Sequence, residues 1–199
     1  PFSGIFNAGI LGTAIVLIGT AIFALMAATL IHGQIRRHWA FEARFRRHLE
    51  EGVVCTYQPL VSTRTGEIVG CEVLARWRDL DGAMVYPDAF LPVVERANLT
   101  LPLTLAVVRT ALKELSGRIE GEGFQVNFNI FPRDFSVDAL AAIFPPDTPA
   151  PDGMRLVAEI IETESLPVES IQTAILKLRE RGIATYIDDF GVGYSNMHN

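Results

Sequence analysis

Cysteine is almost missing from this 199-residue chain, and the little there is carries no motif. Cys55 and Cys71 do not form a Cys-x-x-Cys pair, which excludes a disulfide scaffold, a zinc ribbon and a redox motif. Both are expected to be ordinary buried thiols. Positive charge is scarce too: the net charge is −6 and the sequence pI about 5.2. Outside one short stretch there is no basic footprint for a nucleic-acid duplex. The four histidines, His32, His38, His48 and His198, have no metal-like neighbours in sequence and are read as solvated or interfacial. No internal repeat is visible. Asp189-Phe190-Gly191 and Arg78-Asp79-Leu80 look like kinase fragments, but Trp77 replaces the expected His and no glycine-rich phosphate loop precedes them. Asp79-Leu80-Asp81-Gly82 lacks the remaining ligands of a calcium loop and is expected to be a turn. Disorder is excluded as well, because 49% of residues are apolar and 20% charged.

Charge is missing altogether before Arg36. Residues 8–31 form a 24-residue apolar run in which only Thr13, Thr20 and Thr29 are polar. As a helix such a run spans roughly 36 Å, more than the hydrocarbon core of about 30 Å. The apolar core of a signal peptide is shorter and follows its basic residues. Here the run is longer and the basic residues come after it, so residues 8–31 are expected to be a transmembrane helix in contact with membrane lipid. Mean hydropathy of +0.27 for the whole chain agrees.

Arg36, Arg37, Arg44, Arg46 and Arg47 follow immediately, opposed only by Glu42. The positive-inside rule then places the rest of the chain in the cytoplasm. From residue 49 onward 12 basic residues face 22 acidic ones. The picture is a basic collar above an acidic body. The collar's main expected role is topology, with anionic head groups as a second partner. Residues 32–52 read as a helical linker, with Phe41, Phe45 and Leu49 at i, i+4, i+8 and Gly52 as its stop.

Beyond the linker, strands and helices alternate. Residues 53–61, 68–77, 124–130, 155–161 and 183–188 read as strands. Residues 87–98, 102–116, 135–144 and 168–181 read as helices. This alternation predicts a largely parallel sheet with helices outside. Asn129, Glu159 and the pair Asp188-Asp189 fall at successive strand ends, 30 and 29 residues apart, about one βα unit each. Glu72 lies on the second strand. In parallel α/β folds one rim of strand ends gathers the site. Acidic groups crowded there call for a cation, and an oxygen-only donor set favours Mg²⁺, Mn²⁺ or Ca²⁺ over zinc. Two such ions sharing a carboxylate are a known device for displacement at phosphorus. Taken singly, each of these residues also fits a helix cap or a solvated charge.

The motifs that contain them resemble one family. Tyr57-Gln58-Pro59-Leu60-Val61 and Gly70-Cys71-Glu72-Val73-Leu74-Ala75-Arg76-Trp77 are similar to the opening of the EAL domain. Val126-Asn127-Phe128-Asn129-Ile130, Glu159-Ile160-Ile161-Glu162 and Asp188-Asp189-Phe190-Gly191-Val192-Gly193-Tyr194-Ser195 follow in the family's order. The resemblance covers residues 49–199, with the domain itself placed at 53–199. It implies an α/β fold, a (β/α)₈ TIM-type barrel with one antiparallel strand. It implies a bacterial phosphodiesterase that hydrolyses cyclic di-GMP to linear pGpG. Glu72, Asn129, Glu159 and Asp188 would be metal ligands, and Asp189 would bridge to a second Mg²⁺ or Mn²⁺. Glu72 and Asp189 would be the catalytic carboxylates. Gln58, Leu74 and Arg76 would line the dinucleotide site, and Glu162 would steady the loop 190–195. The family is often dimeric, so a homodimer is an implied partner state.

The sequence also departs from the family pattern. Val73 stands in the signature triplet for Ala, Phe131 replaces a small polar residue, and Ile161 stands where Thr is common. The family's later Lys, Glu and Gln have no counterparts before Asn199, and five of eight strands are countable. The chain starts at Pro1 without Met and is read as a piece of a longer protein, with an incomplete barrel that by itself neither folds stably nor turns over substrate. The alternative is a catalytically degenerate EAL domain that senses cyclic di-GMP or regulates a partner by contact. A barrel enzyme of another substrate class comes third.

Overall fold

The computed structural model describes residues 2–119, 121–145, 150–161 and 168–188, with side chains described except at 2–11, 13–14, 35–39, 161, 168–170 and 187–188. The chain divides into two compact units, Pro1–Arg44 and Phe45–Asn199.

The described residues of the first unit, from Phe2 on, are all helical and form the greater part of α1 (Phe2–Arg47). Ile15–Gln34 form a 20-residue stretch of mean hydropathy 2.2 with no buried side chain. By length and composition that stretch is sufficient to cross a membrane. Its threonines do not leave polar groups open. Thr20 donates its hydroxyl to the Leu17 carbonyl at 2.9 Å, and Thr29 to the Met26 carbonyl at 2.8 Å. Such back-bonding is how a hydroxyl is tolerated in an apolar solvent.

The second unit starts inside the same helix. α2 (Leu49–Gly52) follows, and the helix stops at Gly52. A side chain at Gly52 would run into the Trp77 indole, so glycine is required by packing as well as by its stop function. Then come β1 (Val53–Val61), β2 (Ile68–Arg78), β3 (Met84–Val85), α3 (Pro87–Arg96), α4 (Thr100–Leu115), β4 (Phe124–Ile130), α5 (Val137–Ile143), β5 (Met154–Ile161), α6 (Val168–Glu180) and β6 (Ala184–Asp188). The sheet order is β1-β2-β4-β5-β6, with β3 beside β2. β1 runs antiparallel to β2, while β2, β4, β5 and β6 are parallel. Along this main path one strand is reversed, in keeping with the barrel type that the resemblance implies.

Strands β1 and β4 match the predicted ranges. β2, β5, β6 and α6 lie within one residue of theirs, and α3 stops at Arg96, two residues early; three further local features differ, each for a visible reason. β3 has only two residues, too few for an alternating pattern, and exists because a tight turn folds it back on β2. In that turn Asp79 N–H donates to the Ala83 carbonyl at 2.9 Å, and the carboxylates of Asp79 and Asp81 accept from the backbone N–H of Leu80 at 2.7 Å and Ala83 at 2.9 Å. The acidic residues thus serve the turn. α4 begins at Thr100, two residues before the predicted proline start. Pro102 is tolerated in the first turn because N–H groups there have no helical acceptor. α5 is shorter than predicted because residues 132–134 form a 3₁₀ turn. Ser136 then caps α5, accepting from Ala139 N–H at 3.3 Å.

The two faces of the sheet divide the labour. On one face Val126, Phe128 and Ile130 of β4 and Leu156, Ala158 and Ile160 of β5 are buried. They meet the helices, whose inward residues include Leu103, Val107, Ala111, Leu140, Ile143, Ala174 and Leu178. Phe128 lies 6.1 Å from Phe144, ring to ring. Near the end of β2, Trp77 has its ring 4.9 Å from Phe45, and Phe45 stacks on Phe90 at 5.8 Å. All three aromatics are fully buried. Cys55 and Cys71 are buried free thiols on this side, as expected. Burial, followed by the nearby Glu114 charge, pushes the Cys55 thiol up to about 12. It stays protonated and unreactive at neutral pH.

Where β2 meets β4 the strands come unusually close. Gly70 pairs with Gln125, and a side-chain carbon at 70 would collide with the Gln125 carbonyl. Gly70→Ala is expected to cost about 1–3 kcal/mol, as for other overpacked sites. A lowered midpoint of thermal unfolding, followed by near-ultraviolet circular dichroism, measures it.

Candidate functional site

A parallel sheet covered by helices usually reads as continuous apolar strands. β4 does not. Its sequence FQVNFNI alternates, and the residues opposite Val126 and Phe128 in the pleat are Gln125, Asn127 and Asn129. Period-two geometry puts these amides on the face turned away from the helices. Register places Glu72 of β2 beside Asn127 and Glu159 of β5 beside Asn129. Gln58 of β1 lies opposite Glu72, and Leu74 and Arg76 continue the same face of β2. Six of the sequence-predicted residues, Gln58, Glu72, Leu74, Arg76, Asn129 and Glu159, therefore share one face across four strands.

Two hydrogen bonds knit it together. Asn129 Nδ2 donates to Glu72 Oε1 at 2.7 Å. Asn127 Nδ2 donates to Glu159 Oε1 at 2.5 Å. Each carboxylate thus accepts an amide N–H from β4. Asn127 is only 3% exposed, so its amide has to be satisfied within the protein. From sequence Asn127 is a motif residue without a role. The signal was present all the same, because Asn-x-Asn on a strand puts both amides on one face.

Arg76 is half-buried on the same face. Its Nη1 donates to the Ala75 carbonyl at 2.8 Å, and its guanidinium lies 5.4 Å from the centre of the Tyr86 ring. Tyr86 is a second residue the sequence did not flag. It follows β3 directly, just before Pro87, and nothing in its local pattern marks it as a neighbour of Arg76. Tyr57 and Cys55 point to the opposite face of β1. There the Tyr57 hydroxyl donates to the Glu114 carboxylate of α4. Burial, and then that bond, raise the phenol well above its ordinary range, so it remains a donor.

Asp188 is the last residue of β6, with its backbone beside Ile161, and its side chain is outside the described set. Asp189, Glu162 and the segment 190–195 lie outside the described residues. Among the described residues no cluster of three or more His, Cys, Asp or Glu forms. The grouping there is two carboxylates and two carboxamides. The Asn127 oxygen is taken by Gln125 Nε2 at 2.9 Å, and the oxygens of Glu72, Glu159 and Asn129 are hard donors, which suits Mg²⁺ or Mn²⁺ and not a soft-metal site. Asn127 holds Glu159 through its amide N–H, the kind of outer contact that orients a carboxylate, and Asn129 meets Glu72 through its amide N–H, with its oxygen on the same side chain as a candidate ligand.

Comparison with known proteins gives a consistent result. The family model described as the EAL domain matches residues 42–199. A probable cyclic di-GMP phosphodiesterase of Escherichia coli K12, PdeG, is 32% identical over 191 residues, covering 92% of this chain and 37% of that protein. A second from the same organism, PdeB, is 28% identical over 180 residues, covering 88% of this chain and 35% of that protein. The chain therefore spans little more than a third of the length of these relatives. Among solved structures, the EAL enzyme Bd1971 in its cAMP- and cyclic-di-GMP-bound form aligns with a TM-score of 0.64 at 23% identity, covering 82% of this chain and 47% of that one. That likeness establishes the barrel-type α/β fold.

Proposed function

Because the chain belongs to the EAL domain family, we propose that its protein is a membrane-anchored phosphodiesterase specific for cyclic di-GMP, opening one phosphodiester to give linear pGpG. The observation that carries this reading is the paired set Glu72–Asn129 and Glu159–Asn127 on one polar face of the sheet.

In this reading Glu72, Asn129, Glu159, Asp188 and Asp189 hold two divalent cations, Mg²⁺ or Mn²⁺. The chemistry the cations supply when bound is charge neutralisation at phosphorus and a lowered pKa for attacking water. The protein's own residues do the rest. Arg76 presents a planar fork of N–H donors suited to phosphate oxygens. Its contact with the Tyr86 ring limits the rotamers it samples before substrate arrives. Leu74, between Glu72 and Arg76 on the same face, offers an apolar surface to a guanine. Gln58, across from Glu72, offers an amide to its edge. Glu162 would steady the loop 190–195, which follows Asp189 in the chain.

The domain bounds belong to the same proposal: an anchor at 8–31, a basic helical linker at 32–52 and the EAL domain from 53. So does the location, with the anchor in the inner membrane, the domain in the cytoplasm and a homodimer as the assembly. The basic collar after the apolar helix supports this orientation.

The test is to incubate purified full-length protein with cyclic di-GMP and Mg²⁺ or Mn²⁺ and to resolve the nucleotides by chromatography. Linear pGpG that forms with the metal and not with chelator is the expected result. Tight nucleotide binding without product would select the sensor reading. Neither binding nor product would overturn both.

A further inference from the structure

The polar face continues towards the start of the strands, beneath the two carboxylates. Arg155, the second residue of β5, lies beside Gln125 of β4, and Tyr186 lies on β6. Arg155 Nη2 donates to Gln125 Oε1 at 2.5 Å and to the Tyr186 hydroxyl oxygen at 2.7 Å. Gln125 Nε2 donates to Asn127 Oδ1 at 2.9 Å. Asn127 Nδ2 donates to Glu159 Oε1 at 2.5 Å. The result is an unbroken line of side-chain bonds from a cation to a carboxylate, over four strand residues or roughly 13 Å.

The two ends fix the direction of the line. An arginine can only donate, so Gln125 must turn its oxygen towards Arg155 and its N–H₂ towards Asn127. Asn127 must then accept with its oxygen and donate to Glu159, which as a carboxylate can only accept. Neither amide is free to flip without breaking two bonds. The line runs inward from an exposed Arg155 through a half-buried Gln125 to a buried Asn127, and bonds in such a chain polarise one another.

We propose that Arg155 is a positioning residue for the metal site: acting through Gln125 and Asn127, it fixes the Glu159 carboxylate in one orientation before metal arrives. The inference rests on the proposed reading of Glu159 as a metal ligand. None of the residues between Arg155 and Glu159 needs to touch metal for the effect to operate.

The experiment is a Mn²⁺ titration of purified full-length protein without nucleotide, with free Mn²⁺ read by electron paramagnetic resonance. Arg155→Met is expected to weaken Mn²⁺ binding roughly ten-fold, the lower end of the range for outer-shell partners of metal ligands. Gln125→Glu is expected to weaken it at least as much, because the new carboxylate keeps the contact with Arg155 but has no N–H₂ for Asn127. Arg155→Lys, which still donates, is expected to restore most of the loss. The sign is what discriminates. Removing a cation or adding an anion near the site would by itself tighten Mn²⁺ binding. A merely structural role would lower the unfolding midpoint of the variants without this pattern of loss and rescue.

Glu159→Gln serves as the reference. If Glu159→Gln binds Mn²⁺ like wild type, the ligand assignment fails and the inference falls with it. If Glu159→Gln loses binding while Arg155→Met and Gln125→Glu bind as tightly as wild type or more so, the inference alone is overturned. Should Arg155→Met fail to fold, the isosteric Gln125→Glu variant decides by the same measurement.

Discussion

Glu72→Ala is expected to lower metal-dependent hydrolysis of cyclic di-GMP by at least roughly 10²–10³-fold, the loss found when one preorganised charge-stabilising group is taken from an active site. Asp188→Ala is expected to do the same. The reason for Glu72 is visible in its surroundings. Its carboxylate accepts from Asn129 at 2.7 Å and sits mid-strand on β2, between two paired strands that cannot shift to replace it. Alanine there removes an oxygen donor and leaves the Asn129 amide without its acceptor. The fold should survive, because position 72 is on the polar face and only half-buried. Initial rates by chromatography, with circular dichroism to verify folding, test this. Undiminished turnover in both variants would overturn the assignment of the site.

Phe45→Ala is expected to be the most damaging substitution for stability, at about 3–5 kcal/mol. For a domain of this size that is a fall of about 10 °C or more in unfolding temperature. Phe45 is fully buried, with Trp77 at 4.9 Å and Phe90 at 5.8 Å, so truncation leaves a cavity lined by two large rings. The end of α1 is thereby a structural part of the second unit. Thermal unfolding of wild type and variant checks it, and a shift under about 2 °C would mean that the neighbouring rings close over the gap.

These two residues show how far a sequence carries. Glu72 was legible because its motif is contiguous: Glu72, Leu74 and Arg76 alternate on one strand, and period two puts them on one face whatever surrounds them. The strands themselves were legible for the same reason. β1 and β4 are long enough for their patterns to show, and β3, with two residues, is not. Phe45 was visible as one member of an apolar stripe with Phe41 and Leu49. A stripe says that a helix face is covered without saying by what. Trp77 and Phe90, 32 and 45 residues later, supply the answer through packing.

The site divides in the same way. Charge balance, the 20-residue apolar stretch of α1, the turn at 79–82, the largely parallel sheet and the placing of Glu72, Asn129 and Glu159 on its strands all follow from local pattern and spacing. These properties depend on a residue and its near neighbours along the chain. Which amide meets which carboxylate does not. Asn129 reaches Glu72, 57 residues away, and Asn127 reaches Glu159, 32 residues away. Tyr86 comes under Arg76, and Arg155 is tied to Glu159 through two amides of another strand. Those pairings depend on strand order and register, which are set by how the apolar faces bury against α4, α5 and α6. They exist only once the sheet has formed, because side-chain bonds of this kind join residues whose neighbourhood the fold creates.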